Sequence, residues 1–182
     1  MIHAIVDRAR KVQGADFIQL RNKNIDALDL LKITHWYIQQ GHQVIVNTRT
    51  DIALLAGASG VHLPSHSLSP KTVRKIVPEN FLIGVSCHSR EELLRAEQEG
   101  ASYAYLSPVF APISKDDPAP VLGLDGFHRM IEGIHLPVYA LGGITPERIP
   151  ECLNAGAYGV AGISLVDLLQ TPDPHRITVS GK

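Results

Sequence analysis

The chain has 182 residues, 17 basic against 18 acidic side chains and 45% apolar residues. This length and apolar share suit a single domain over residues 1–182, burying roughly 70% of its unfolded surface. The even charge, with no basic run, excludes an electrostatic footprint for nucleic acid. No stretch reaches the roughly 20 apolar residues of a membrane span, and Met1-Ile2-His3-Ala4 lacks a signal-peptide layout, so a cytoplasmic location is expected. Cys87 and Cys152 are too few for a disulfide framework and form no CxxC pair; both read as inert core thiols.

Ile2, Ile5, Val6, Ala9 and Val12 recur at helical spacing, so residues 2–13 are expected to form a helix. Short β-branched runs then alternate with helical stretches, predicting strands at Phe17–Arg21, Gln43–Asn47, Gly60–Pro64, Leu82–Ser86, Tyr103–Ser107, Val138–Leu141 and Gly159–Ser164. Small-residue turns such as Glu99-Gly100-Ala101 and Ala155-Gly156-Ala157 precede many of them, where glycine reaches positive φ without a Cβ clash. This rhythm predicts an α/β fold, a TIM (β/α)8 barrel lacking a normal first strand. Thr171-Pro172-Asp173-Pro174 shortens the last helix. The tail Arg176–Ser180 reads as a strand that could fill the resulting gap. Residues 108–122, with four prolines, form a long connection at the C-terminal face of the barrel, expected to be a functional lid or a mobile segment.

Five segments offer chemistry. Alternation sends Gln19, Arg21 and Lys23 to one side after the first predicted strand, a donor-rich cluster; a solvated strand end explains them equally well. Leu141-Gly142-Gly143-Ile144-Thr145 and Gly162-Ile163-Ser164 end the last two strands, and two adjacent backbone nests there favour phosphate binding by Gly142, Gly143, Ile163 and Ser164. His88 follows a strand and precedes the capping box Ser89/Glu92; it can carry protons near neutral pH or merely enter the helix. Lys115 could swing over a bound phosphate, or be a solvated loop lysine. His62 and His66 stand four apart, but Pro64 disfavours the helical face that a shared metal needs. The remaining histidines read as surface or helix positions.

From Asp16 to about Leu165 the chain resembles the thiamin phosphate synthase/TenI family of phosphate-binding barrels. The motifs are Gln19-Leu20-Arg21-x-Lys23, Val46-Asn47-x-Arg49-x-Asp51, Gly60-Val61-His62-Leu63, Gly84-Val85-Ser86-x-His88-Ser89, Pro108-Val109-Phe110, Gly123-Leu124-Asp125-Gly126 and Leu141-Gly142-Gly143-Ile144. The resemblance adds Asn47 and Ser86 to the substrate-binding set of Gln19, Arg21, Lys23 and Lys115.

Thiamin phosphate synthases carry acidic magnesium ligands where this chain has Asn47-Thr48 and Ser65-His66-Ser67, and no Asp or Glu lies between Asp51 and Glu79. A pyrophosphate leaving group develops charge that such a metal stabilises. The resemblance therefore implies a TenI-type thiazole tautomerase, an isomerase with no cofactor in which His88 relocates a proton on a carboxythiazole phosphate. The expected partner is this small phosphorylated thiazole, and the expected assembly a homo-oligomer. The alternatives are thiamin phosphate synthase itself, with magnesium, and a non-catalytic binder or regulator.

Overall fold

The computed structural model describes residues 1–111, 120–163 and 165–168, the last two as backbone only. Eight parallel strands follow one another around a closed barrel. They are β1 (Ile2–Val6), β2 (Phe17–Leu20), β3 (Val44–Asn47), β4 (Gly60–Leu63), β5 (Leu82–Cys87), β6 (Tyr103–Leu106), β7 (Val138–Leu141) and β8 (Gly159–Gly162). The helices are α1 (Ala27–Gln39), α2 (Thr50–Ala56), α3 (Pro70–Val73), α4 (Arg90–Gln98), α5 (Gly123–Ile131), α6 (Ile149–Asn154) and α7 (Leu165–Leu168). Seven strands fall within two residues of their predicted ends, and the last described helix is short. None of these helices is long and apolar enough to cross a membrane.

The expected helix over residues 2–13 is a strand followed by a loop. Ile2–Val6 pairs in parallel with β2, His3 opposite Phe17 and Ile5 opposite Gln19, and with β8, Ile2 opposite Val160. A barrel strand is buried on both faces, so it reads as a continuous apolar run rather than an alternating one; that run imitated a helical stripe. No gap is left for the tail to fill, and Arg176–Ser180 itself lies outside the described residues. In place of a helix after β1, the loop leans on α1. The Tyr37 hydroxyl donates to the Arg8 carbonyl at 2.9 Å and accepts from the Arg10 N–H at 3.1 Å.

The local chemistry of the helices is legible. Asp26 caps α1, its carboxylate accepting from the Asp29 N–H at 2.8 Å, and Leu30, Thr34 and Tyr37 form the buried stripe. Ser69 and Ser89 cap α3 and α4 in the same way. Outward-facing aliphatics such as Ile18, Val46, Val61 and Ile83 pack under these helices.

The barrel interior is aromatic and polar. Ile5, Ile45, Tyr103, Tyr105, Tyr139 and Ala161 cluster inside, beside the buried His3, Gln19 and His62. Glycines make the room: a Cβ on Gly84 would sit 2.0 Å from the Tyr103 ring, and one on Gly159 would sit 2.7 Å from the Tyr139 ring. His3 stacks obliquely on Tyr139, centroids 4.2 Å apart, and His62 on Tyr105 at 4.3 Å. His3, expected at a surface or helix position with no partner, is 1% exposed.

Burial is the main cause that holds His3 and His62 neutral, pulling their pKa values down to about 4 and about 3. Both titrate near 6.5 in an unfolded chain, so the unfolded state takes up these protons first as the pH falls. Their stabilisation is whole above about pH 6.5 and is lost progressively towards about pH 4 and about pH 3. Urea unfolding at about pH 7 and about pH 5 should differ by on the order of 3–4 kcal/mol from these two groups. His62→Gln should remove about half of that difference, and an unchanged pH slope would refute the assignment.

Candidate active site

The C-terminal ends of the strands carry the residues able to meet a ligand. On β2, Gln19 points into the barrel and is 1% exposed. Its Nε2 donates to Asn47 Oδ1 at 3.0 Å, while its Oε1 has no hydrogen-bond partner among the described residues. Gln19 therefore sits beneath the mouth, bonded to Asn47, rather than beside Arg21 as an equal donor. Arg21, half-buried on the same inward side, lies close enough for its charge to depress the His62 pKa further. Lys23 is exposed beyond it.

Asn47, at the end of β3, donates through Nδ2 to Thr48 Oγ1 at 2.8 Å. Thr48 has φ 67°, the one positive-φ residue other than glycine among the described residues. A β-branched side chain is unfavourable there. The conformation is held by the Thr48 N–H, which donates to the His62 carbonyl at 2.8 Å.

On β5, Ser86 also faces inward, its Oγ 2.9 Å from His62 Nε2. His88, exposed at the rim, is fixed from two sides. Its N–H donates to Glu92 Oε2 at 2.6 Å, and its Nδ1 lies 2.9 Å from the Ser107 carbonyl. A carbonyl only accepts, so Nδ1 carries a proton, and in the neutral ring Nε2 is left as an acceptor. The capping box forms with a one-residue shift: Ser89 Oγ accepts from the Glu92 N–H at 3.3 Å, and the Glu92 carboxylate reaches past Ser89 to His88.

Gly142 and Gly143 follow β7 with φ 101° and 60°. Their missing side chains also admit the loop after β6: a Cβ on Gly142 would meet Pro108 at 2.9 Å and one on Gly143 the Ala111 carbonyl at 2.3 Å. The Val109 N–H donates to the Leu141 carbonyl at 2.9 Å and the Phe110 N–H to the Gly142 carbonyl at 3.1 Å. Arg148 ties the far side, donating to the Gly143 carbonyl at 2.7 Å while its guanidinium stacks 4.3 Å from the Phe110 ring centroid. Ile163 follows the neighbouring β8 and is exposed. Ser164 and Lys115 lie outside the described residues, as does the middle of the expected lid.

The donor set does not fit a resident magnesium. Asn47, Thr48, Ser65 and Ser67 offer neutral oxygens, and the nearby Asp51 carboxylate is gripped by Arg49 at 2.9 and 2.6 Å. Magnesium is ordinarily held through carboxylates and substrate phosphates. His62 is buried inside the barrel and His66 exposed in a turn. Among the described residues no cluster of three His, Cys, Asp or Glu side chains is placed to share a metal. Burial pushes the Cys87 and Cys152 thiols up to about 12 and about 11, consistent with inert core positions.

A cavity of about 480 Å³ opens at the opposite end of the barrel among Phe17, Gln43, Ser59, Phe81 and Leu82, with no titratable side chain. A smaller cleft of about 180 Å³ lies between the loop after β4 and α4 and is lined by Ser67, Ser86 and Glu92. Of the two, only the second is lined by one of the expected site residues, Ser86.

Residues 2–166 match the family described as thiamine monophosphate synthase. A thiamine-phosphate synthase of Methanoculleus marisnigri is 44% identical, covering 90% of this chain and 80% of its own. One from Methanocella arvoryzae is 41% identical, over 91% and 80%. The solved thiamine phosphate pyrophosphorylase of Pyrococcus furiosus superposes with a TM-score of 0.76 at 31% identity, over 88% of this chain and 83% of its own. These relatives overturn the expected isomerase. They are named for the coupling reaction, a transfer, so the absent carboxylates do not mark a tautomerase.

Thr48→Asn keeps an acceptor for the Asn47 amide and suits the left-handed backbone better. It should raise the thermal midpoint by about 2–4 °C, reflecting roughly 1 kcal/mol of relieved strain. A lowered midpoint in thermal unfolding would contradict that reading of φ.

Proposed function

Because the chain belongs to the thiamine monophosphate synthase family, we propose that it joins a hydroxymethylpyrimidine pyrophosphate to a thiazole phosphate. The products are thiamin phosphate and pyrophosphate. The reading is carried by 41–44% identity over nine tenths of the chain to proteins named for that synthase. The rim supports it by retaining Arg21, Lys23, Ser86 and the Gly142–Gly143 pair.

In this reaction the thiazole ring nitrogen attacks the methylene carbon of the pyrimidine. The new C–N bond forms as the C–O bond to pyrophosphate breaks, its electron pair leaving on oxygen. No proton has to move, so His88 needs no acid or base role, and its bare Nε2 serves as an acceptor at the rim. Arg21 and Lys23 stabilise charge developing on the leaving pyrophosphate. Backbone N–H groups at Gly142, Gly143 and the turn after β8 hold the thiazole phosphate. The proposed site contains no resident metal, since its oxygen donors are neutral.

Purified protein supplied with both substrates should release thiamin phosphate and pyrophosphate in equal amounts. Binding of both without turnover would sink the proposal in favour of a non-catalytic binder. Arg21→Ala should lower kcat/KM roughly 10- to 150-fold, the worth of a charge-assisted hydrogen bond. Magnesium titrated calorimetrically into the ligand-free protein should give no saturable binding; a stoichiometric site would overturn the metal-free reading.

A further inference from the structure

Gly142 and Gly143, without Cβ atoms, are free to take many backbone directions, yet here three successive carbonyls are pinned. The Val109 N–H holds that of Leu141 at 2.9 Å, the Phe110 N–H that of Gly142 at 3.1 Å, and Arg148 Nη1 that of Gly143 at 2.7 Å. In a planar trans peptide the N–H points opposite to the carbonyl of the same unit. The Gly142 and Gly143 N–H groups are therefore turned away from the loop after β6, towards the β8 side of β7. Neither has a backbone acceptor among the described residues.

Arg148 is the side chain that completes this arrangement. It stands on the short 3-10 turn Pro146–Arg148 ahead of α6, five residues beyond the carbonyl it grips. Its guanidinium also stacks 4.3 Å from the centroid of the Phe110 ring, and Phe110 is the residue whose N–H pins Gly142. One half-buried cation thus acts twice on the glycine pair, directly at Gly143 and through Phe110 at Gly142. A planar guanidinium does both at once, because its edge donates while its face lies on a ring; an ammonium has no such face.

We propose that Arg148 is a positioning residue for the phosphate of the thiazole substrate. It holds the Gly142 and Gly143 N–H groups in the direction a phosphate meets, and so sets the preference for a phosphorylated thiazole over the corresponding unphosphorylated alcohol. The proposal rests on the coupling reading for the identity of this substrate.

The first test uses the ligand-free protein and needs no turnover. Amide hydrogen exchange followed by NMR should show the Phe110 N–H exchanging roughly tenfold faster in Arg148→Ala, the worth of one charge-assisted hydrogen bond, while the amides of α1 keep their rates and report an intact fold. An unchanged Phe110 rate overturns the proposal.

Thiazole phosphate, its alcohol, inorganic phosphate and pyrimidine pyrophosphate are then titrated calorimetrically into the wild type and three variants. Arg148→Ala should weaken thiazole phosphate and inorganic phosphate roughly tenfold and leave the alcohol and the pyrimidine pyrophosphate unchanged. Equal losses for phosphate and alcohol would mean a merely structural role and refute the assignment. Phe110→Leu keeps the charge and the backbone donor but removes the stacked ring, and should weaken thiazole phosphate roughly two- to fivefold; unchanged affinity contradicts the proposal. Arg148→Lys should recover only part of the loss, and full recovery would show that charge alone suffices. A wild type that binds inorganic phosphate but neither binds nor couples the thiazole phosphate refutes the coupling reading alone, because the phosphate titrations still decide the role of Arg148. Failure of both phosphates to bind overturns the two together.

Discussion

The parallel pairing of Ile2–Val6 with both Phe17–Leu20 and Gly159–Gly162 closes the sheet on itself. Strands of four to six residues supply few ladder bonds each, and a closed barrel leaves no edge unpaired. Closure also encloses an interior that side chains must fill. Here it is filled by tyrosines and histidines stacked on one another, with glycines at 84 and 159 opposite the largest rings.

That interior choice links stability to function. Branched aliphatics would fill the same space without polar atoms. Tyr103, Tyr105, His3 and His62 instead carry polar atoms that need partners in a medium where an unmet group is costly. The partners they find lead upward to Ser86, as Gln19 leads to Asn47. The two neutral residues at the mouth are thus held from below by buried groups, while His88 is held by the start of α4 and the loop after β6. The same burial makes the fold sensitive to mild acid, because it is the neutral imidazoles that fit.

The site itself joins a layout of parts that resembles the family's to a neutral rim. Paired glycines after β7 accept the loop that follows β6 against their bare Cα atoms, so one dipeptide shapes the turn and seats the neighbouring loop. On the other side, Asn47, Thr48, Ser65 and Ser67 surround the place where the resemblance implies acidic ligands. The missing carboxylates seemed to favour an isomerase. Relatives at 41–44% identity named for the coupling reaction correct this.

The local signals were legible in the sequence. The cap at Ser89, seven strands, the Gly142–Gly143 turn and the rim positions of Arg21 and His88 all depend on residues near one another in the chain, where spacing alone carries the information. Only the tertiary structure decided that Ile2–Val6 is a strand, because its apolar residues face two different layers and their periodicity could not distinguish a buried strand from a helix. It also decided that His3 is an interior residue, since its partner Tyr105 lies 102 residues away. The same holds for His62 and Ser86, 24 residues apart: a hydrogen bond across a barrel depends on strand order and stagger, which no local pattern encodes.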